Sequence, residues 1–264
     1  MPNELSEAIA NVSESGTLSL LKAMELSEEW GVSLKEVDRQ ALAWGIWPRR
    51  YLRNRHTLEA EDQLKLLESG VLLVGCGGLG GYAAELLARA GVGELRLYDP
   101  DRFEESNLNR QAFCALPSLG RPKAEVCAEA LVEINPAVEV HARVERFTGD
   151  FSAEKPPRLL IEAGDDPASK RELARWAWEK NIVYLHGAVA GESALFSLDD
   201  SLKGLYDDGQ AGAELWSGTL GSTAAFAASV LASQAIRLLL GRESVLRGRR
   251  LWTDLASLEW EWVG

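Results

Sequence analysis

The chain has 264 residues, 46% of them hydrophobic, which is enough apolar material for one large α/β domain or two small ones. Its formal net charge of -12 argues against a nucleic-acid-binding protein, because such binding depends on clustered Lys and Arg that meet phosphates. Three cysteines without a C-x-x-C pair are typical of reduced thiols in a cytoplasmic protein, and they exclude a zinc site built from four cysteines.

The N-terminal segment, residues 1–48, is predicted to form a small helical appendage. Apolar residues recur at helical spacing from about 17 to 47, with Ser33 as an N-cap and Gly45 as a stop. Two short helices that meet at Gly31 could form a helix-turn-helix, but the acidic residues throughout favour a packing role over DNA binding. The first residues are polar and acidic, so no signal peptide is expected.

Residues 49–264 alternate between predicted strands and helices and are expected to form a second domain. This alternation is typical of an α/β fold with a Rossmann-like, doubly wound, mainly parallel sheet. The apolar helix near the C-terminus is interrupted by polar residues, so a buried helix is expected rather than a membrane span. A loop with strand ends is expected over about 194–214. The predicted strands are 71–74, 94–98, 138–144, 159–163, 182–186 and 251–255, and the predicted helices are 58–69, 82–90, 123–134, 167–181 and 223–240.

A glycine-rich turn between the first of these strands and the next helix indicates a nucleotide site. Glycine suits this turn because the backbone must approach a phosphate or ribose without a Cβ in the way, and the helix N-terminus adds unpaired N–H groups. Asp99 closes the next strand, where a carboxylate can accept hydrogen bonds from ribose hydroxyls. This pattern does not distinguish NAD, FAD and ATP. The glycines concerned are Gly75, Gly77, Gly78 and Gly80.

The loop after Asp99, DPDRFEESNLNRQ, favours ATP. It places Asn107 and Arg110 at the carboxyl end of a strand, where ligands of open α/β sheets bind, and Lys123 begins the following helix. A guanidinium and an ammonium together suit a triphosphate whose pyrophosphate must leave, whereas hydride transfer has no comparable need for charge. Taken alone, either residue could be a solvated surface charge.

The chain resembles a known family in the run GCGGLGGYAAELLARAGVGELRLYDPDRFEESNLNRQ and in GRPKAE and INP after it. These motifs are similar to those of the ubiquitin-like-protein activating enzymes, which include the bacterial molybdopterin and thiamine sulfur-carrier activating proteins. The resemblance covers about residues 50–190. It implies an ATP-dependent adenylyltransferase that activates the C-terminal carboxylate of a small ubiquitin-like carrier protein as an acyl-adenylate and releases pyrophosphate.

The resemblance also implies partners. The carrier would be a sulfur-carrier protein with a Gly-Gly C-terminus, and the enzyme would be a cytoplasmic homodimer with no nucleic-acid or membrane partner.

Roles for individual residues follow from the same resemblance. Asp99 would hold the ATP ribose, and Asn107 and Arg110 would contact the phosphates. Lys123 would neutralise charge on the triphosphate as pyrophosphate departs. In the loop LLIEAGDDPASK, the family's Mg2+-binding acid aligns with Asp165, and a carboxylate suits that cation's preference for hard oxygen ligands.

The segment RRYLRN resembles the family's N-terminal Arg-Tyr-x-Arg motif. It implies that Arg53 reaches the ATP of a neighbouring subunit. The competing interpretation is a solvated surface charge that precedes a helix.

Some positions depart from the family pattern. Glu162 stands where the family usually has Asp, Asp166 where it usually has Asn, and Lys170 where it often has Arg. The family's C-x-x-C pairs are absent, so no zinc is expected. No cysteine follows Cys127, which fits the molybdopterin-type members that stop at the adenylate and leave sulfur transfer to another enzyme. His186, near a strand's carboxyl end, is expected to be structural.

Three alternatives remain open on the sequence. A nicotinamide-dependent oxidoreductase shares the glycine turn and Asp99 but leaves Arg110, Lys123 and Asp165 unexplained. A relative could instead activate a non-protein carboxylate, peptide or tRNA-linked, and the acidic composition disfavours tRNA. A nucleotide-binding scaffold without turnover is the third.

Overall fold

The computed structural model describes residues 4–149, 157–199 and 217–263, and within these ranges it contains eight α-helices and ten strands. The N-terminal part consists of α1 (Glu4–Val12), β1 (Thr17–Leu18), α2 (Leu20–Trp30), α3 (Leu34–Ala43) and β2 (Trp47–Pro48). Strands β1 and β2 pair in parallel as a separate two-stranded sheet.

The N-terminal helices form at the predicted signals. Ser33 caps α3, where its Oγ accepts a hydrogen bond from the Glu36 N–H at 3.1 Å. Gly31 ends α2 with a φ of 61°. Helix α1 was not predicted, because its polar sequence buries only Leu5 and Ile9 among its apolar residues.

This segment has its own apolar core but is also bound to the rest of the chain. Asp38 on α3 is buried and forms an ion pair with Arg50, and Lys35 Nζ lies 2.8 Å from Glu139 Oε2. The proposed domain boundary after residue 48 stays a prediction.

The main sheet has eight strands in the order β10-β9-β8-β7-β6-β3-β4-β5. Strands β7, β6, β3, β4 and β5 are parallel to one another, whereas β8, β9 and β10 extend the sheet in antiparallel fashion. The predicted α/β fold with a mainly parallel sheet is therefore confirmed. The strands are β3 (Gly70–Val74), β4 (Glu94–Tyr98), β5 (Glu139–Arg143), β6 (Leu159–Glu162), β7 (Val183–Ala190), β8 (Ser193–Leu198), β9 (Arg250–Asp254) and β10 (Glu259–Val263).

Helices cover both faces of this sheet, because the central strands β3 and β6 are nearly continuous apolar runs whose two faces both require cover. The remaining helices are α4 (Ala60–Leu67), α5 (Gly78–Ala90), α6 (Lys123–Ile134), α7 (Pro167–Glu179) and α8 (Gly221–Leu239). Alternate residues of β3 and β6 point to opposite sides: Leu73 and Ile161 join the core of α5 and α8, and Leu72 joins the core under α7.

Helix α8 is, in the described part of the chain, the one helix long and apolar enough to cross a membrane. It packs lengthwise against α5, and its small residues Ala224, Ala227 and Ala228 are fully buried there. The packing is that of a core helix.

The structure differs from the sequence prediction near the C-terminus. Strand β10 was missed, because all five of its residues are exposed and it is an outermost strand of the sheet. Strand β8 occupies the start of the segment expected to be strand ends and loop, whose residues 200–214 lie outside the described ranges. Strand β7 runs to Ala190, beyond the predicted end at His186.

Candidate functional site

The predicted nucleotide residues follow three neighbouring parallel strands. Strand β3 lies between β4 and β6, so the glycine turn, Asp99 and the loop that carries Asp165 all emerge at the carboxyl ends of these parallel strands. We call this end of the strands the sheet edge. The turn and the loop touch directly. A Cβ on Gly75 would lie 2.7 Å from the carbonyl oxygen of Ala163. The fold therefore brings both segments to one place.

The glycine turn needs glycine at two of its four positions. Gly75 has a φ of 95°, which L side chains rarely adopt. A Cβ on Gly80 would overlap the carbonyl oxygen of Gly75. Gly77 and Gly78 form the N-cap and first residue of α5, so the helix presents its unpaired N–H groups at this edge.

Asp99 is buried and holds the turn in shape. Its Oδ2 accepts a hydrogen bond from the Cys76 N–H at 2.7 Å, and its Oδ1 accepts one from the Asp101 N–H at 2.8 Å. Burial raises the pKa of this carboxyl, while the two backbone hydrogen bonds oppose the rise. Each carboxylate oxygen keeps a second lone pair, so a ribose hydroxyl could still donate to it.

Arg110 and Asn107 lie in one short turn. Asn107 is buried, and its Oδ1 accepts a hydrogen bond from the Glu104 N–H at 3.1 Å, which shapes the loop. Arg110 Nη1 donates to the Ser106 carbonyl at 2.9 Å and to Asn109 Oδ1 at 2.8 Å. No carboxylate of the described residues pairs with this half-buried guanidinium, so an anion can bind it without displacing an acid.

Lys123 begins α6 and is 8% exposed. Its Nζ donates to Asp101 Oδ2 at 3.1 Å, and its backbone N–H donates to the Asp101 carbonyl at 2.9 Å. The ammonium is close enough to Asp99 to lower the pKa of that carboxyl against the larger effect of burial. The structure thus brings Lys123 to the same edge as the glycine turn.

The last residue of β6 and the loop that follows it provide three acids, of which two are already engaged. Glu162 is buried against His186, and Asp166 caps α7 by accepting hydrogen bonds from the Ala168 and Ser169 N–H groups at 3.2 Å. The Ser169 hydroxyl lowers the pKa of Asp166. Asp165 is exposed, and no hydrogen bond or ion pair ties it to any other described residue.

No group of three metal-ligating side chains exists among the described residues. A cation at Asp165 would therefore take most of its ligands from a nucleotide and from water, which is the usual arrangement for Mg2+.

Arg53 does not join the other predicted residues within one chain. It lies exposed in the 3-10 helix Arg49–Asn54, whose Asn54 Nδ2 donates to the Ala90 carbonyl at the C-terminal end of α5. The glycine turn is at the other end of α5, about 20 Å away for a helix of this length. Arg53 is therefore separated from the nucleotide residues of its own chain by the length of α5.

Two buried polar groups beside the turn were not assigned a role from the sequence. Gln111 Oε1 and Thr223 Oγ1 are buried and have no hydrogen-bond partner among the residues that the structure describes. A Cβ on Gly77 would lie 3.5 Å from Gln111 Nε2, and a Cβ on Gly221, just before Thr223, would lie 2.8 Å from the Asn109 carbonyl. Gln111 belongs to the motif run and could have been assigned from it, whereas no motif marks Thr223.

The cysteines are buried, and none of the three forms a disulfide. A hydrogen bond with the neighbouring Cys127 thiol and then burial raise the pKa of Cys76, and burial raises the pKa of Cys114. Thiols in this state are poor nucleophiles at neutral pH.

Comparison with known proteins agrees with this geometry. The model of the ThiF family matches residues 51–263. The sulfur carrier protein ThiS adenylyltransferase of Escherichia coli K12 is 30% identical over 210 residues, which are 76% of this chain and 83% of that protein. The probable adenylyltransferase/sulfurtransferase MoeZ of Mycobacterium tuberculosis is 28% identical over 221 residues, and the match spans 78% of this chain but 56% of MoeZ.

The fold is also that of a solved enzyme. The crystal structure of E. coli MccB with ATP has a TM-score of 0.67 at 20% identity, covering 81% of this chain and 70% of that one. These matches confirm the resemblance read from the motifs and the use of ATP. Because the family model covers most of the chain and the relatives are adenylyltransferases, the chain belongs to the ThiF family and is an adenylate-forming nucleotidyltransferase.

Proposed function

We propose that this enzyme activates the C-terminal carboxylate of a small ubiquitin-like sulfur-carrier protein by transferring AMP from ATP to it. The single observation that carries the proposal is that the glycine turn, Arg110, Lys123 and Asp165 lie at one sheet edge. Among the described residues, neither Arg110 nor Asp165 has an oppositely charged partner there. The E. coli relative, which is named for the same reaction on ThiS, supports it.

The chemistry requires no nucleophile from the protein. The carrier's terminal carboxylate is ionised at neutral pH, and one of its oxygens attacks the α-phosphorus of ATP while the bond to pyrophosphate breaks. The products are an acyl-adenylate and pyrophosphate. Catalysis then consists of alignment and stabilisation of the charge that builds on the leaving group, for which Arg110 and Lys123 are suited.

Asp99 would bind the ribose, and Asn107, which shapes the turn around Arg110, would contact a phosphate. The Lys123 ammonium would exchange its Asp101 partner for a phosphate oxygen, which is easy because the Asp101 side chain is 64% exposed. Asp165 would bind Mg2+, which would neutralise triphosphate charge. The engagement of Glu162, at the end of β6, and of Asp166 in other hydrogen bonds supports the choice of Asp165 among these three acids.

The enzyme would act as a cytoplasmic homodimer, with Arg53 completing the site of the neighbouring subunit. The distance of Arg53 from the glycine turn of its own chain supports action in trans over action in cis. The carrier would end in Gly-Gly, a tail thin enough to enter a covered site.

The direct test is mass spectrometry of a Gly-Gly-tailed carrier after incubation with the enzyme, ATP and Mg2+. We expect a carrier carrying one added AMP, dependent on its last glycine. The matched control is a carrier shortened by that residue, which should stay unmodified. An unmodified full-length carrier under conditions in which the enzyme binds ATP would contradict this substrate class.

A further inference from the structure

A buried pair of residues lies directly under the loop that carries Asp165. Glu162 ends β6, and His186 is its register partner on the adjacent strand β7. Both side chains are fully buried, and Glu162 Oε2 lies 2.6 Å from His186 Nδ1. We call this pair the buried brace.

The second carboxylate oxygen of the brace holds the loop itself. Glu162 Oε1 accepts a hydrogen bond from the Gly164 N–H at 2.7 Å, and Gly164 immediately precedes Asp165. On its other side the same backbone meets the glycine turn, since a Cβ on Gly75 would lie 2.9 Å from the Gly164 nitrogen. The backbone next to Asp165 is thus held between the brace and the turn.

The protonation state of His186 favours a fixed hydrogen bond between the two residues of the buried brace. Burial lowers the pKa of His186, and the charge of the nearby buried Lys170 lowers it further, against the opposing effect of Glu162. A neutral His186 protonated at Nδ1 donates to Glu162, so both carboxylate oxygens have donors, as a buried carboxylate requires. Glu162 is therefore committed to the brace and is not available as a metal ligand.

We propose that Glu162 and His186 are positioning residues, which fix the backbone at Gly164 so that the Asp165 carboxylate faces the nucleotide-bound cation. The inference rests on the proposed function, since it concerns the geometry of the same site. Partners that orient a ligating carboxylate commonly change metal affinity by roughly 10-fold to 100-fold when removed.

The experiment compares ATP affinity in Mg2+ with ATP affinity in EDTA by calorimetry, for the full chain. Glu162→Ala removes the brace, whereas Glu162→Gln keeps an acceptor for Gly164 and can bond the other tautomer of His186. Leu160→Ala is the matched control, because it opens a cavity two residues earlier on β6 and on the same face without touching the loop.

We expect Glu162→Ala to lose most of the increase in ATP affinity that Mg2+ gives the wild type, a loss of roughly 10-fold or more. Its ATP affinity in EDTA should stay within about 2-fold of the wild-type value. Glu162→Gln and Leu160→Ala should keep the gain. A full gain in Glu162→Ala overturns the proposal, and so does an equal loss in Leu160→Ala, which would trace the effect to core stability.

Hydrogen exchange of the nucleotide-free protein separates this proposal from the proposed function. The Gly164 amide should exchange faster in Glu162→Ala than in Leu160→Ala. Equal exchange rates would overturn the proposed role of the buried brace, whatever the measured ATP affinities are. If the brace protects this amide but wild-type ATP affinity is indifferent to Mg2+, the metal site of the proposed function fails instead, and the positioning role fails with it.

Discussion

At the scale of single residues, the site is defined by which charged groups are already satisfied. Asp99, Glu162 and Asp166 each accept hydrogen bonds from nearby backbone N–H groups, so they stabilise the turns around the site. Arg110 and Asp165 have no oppositely charged partner among the described residues. The charged groups without an oppositely charged partner are therefore one guanidinium and one carboxylate. A nucleotide with a bound metal requires a group of each kind.

Lys123→Ala should lower the rate of ATP–pyrophosphate exchange by about 100-fold or more, because it removes one preorganised cation from the leaving group. Arg121→Ala is the matched control, since Arg121 is exposed, pairs with Glu129 and lies only two residues away. Its exchange rate should equal that of the wild type. Similar losses in both variants would mean that the effect is a general one of surface charge.

His186 should make folding stability depend on pH. Because burial lowers its pKa, the folded state disfavours the charged imidazole, and the stability gained from the neutral ring is full above pH 6.5. It is lost as the pH falls below that value toward the lowered pKa, with a slope of up to about 1.4 kcal/mol per pH unit.

Urea unfolding between about pH 5 and 7.5 measures this slope. His186→Gln should flatten it, whereas His141→Gln, at a half-exposed histidine, should leave it as in the wild type. An unchanged slope in His186→Gln would contradict the assignment.

Residue roles were only partly predictable from the sequence. The chain pattern indicated that the glycine turn, Asp99 and the start of α6 would lie at one end of the sheet, because strand ends and helix starts can be predicted from it. It could not indicate that Glu162 bonds His186, since these two lie on different strands and meet only through the parallel register. The resemblance selected Asp165 over Asp166 by alignment alone, and it could not indicate that Asp166 caps α7.

At the scale of elements, the path from β3 into α5 is the part most tightly determined by local sequence. Gly75 takes a left-handed φ and the chain then closes on itself, so Gly80 packs against the Gly75 carbonyl. This close packing positions the N-terminus of α5 at the end of β3. A side chain at Gly80 must push the helix away from the turn.

Gly80→Ala should weaken ATP binding by roughly 10-fold or more, because a shift of the helix start misplaces the N–H groups that face the phosphates. Gly81→Ala is the control with the same change in helix propensity, since its Cβ would lie 3.4 Å from the nearest atom, the Cys76 carbonyl oxygen. It should bind ATP within about 3-fold of the wild type. Equal affinities for the two variants would contradict the packing argument.

The elements themselves were predictable wherever burial produced a clear pattern. The buried parallel strands and the helices α6 and α7 lie close to their predicted limits. Strand β10 was missed because it buries none of its residues. Its Trp260 ring packs against Phe226, and its Trp262 ring lies under the Arg249 guanidinium. An edge strand with little burial leaves little trace in the sequence.

At the scale of the whole molecule, one predicted residue is left far from the site. Arg53 is at the C-terminal end of α5, together with Tyr51, whose hydroxyl accepts a hydrogen bond from Asn135 Nδ2 at 2.9 Å. This contact anchors the 3-10 helix that carries Arg53 and keeps its exposed side chain away from the glycine turn. Under the proposed function, Arg53 would therefore act on the nucleotide of a neighbouring subunit.

Two inactive variants should therefore restore activity when mixed. In a mixed dimer of Arg53→Ala and Lys123→Ala, one site keeps its own Lys123 and receives Arg53 from the other subunit. Random exchange of subunits makes half of the dimers mixed, so about one quarter of wild-type exchange activity should return. No recovery after proven subunit exchange would mean that Arg53 does not act in trans.

The central claim is adenylation of a carrier protein, and ATP–pyrophosphate exchange tests it most directly. The measurement uses the full chain with Mg2+, with and without each member of a panel of Gly-Gly-tailed carriers, and Lys123→Ala as the inactive reference. We expect exchange that appears with one carrier and disappears in Lys123→Ala. No exchange with any carrier, despite measurable ATP binding, would contradict it and point to a different carboxylate substrate.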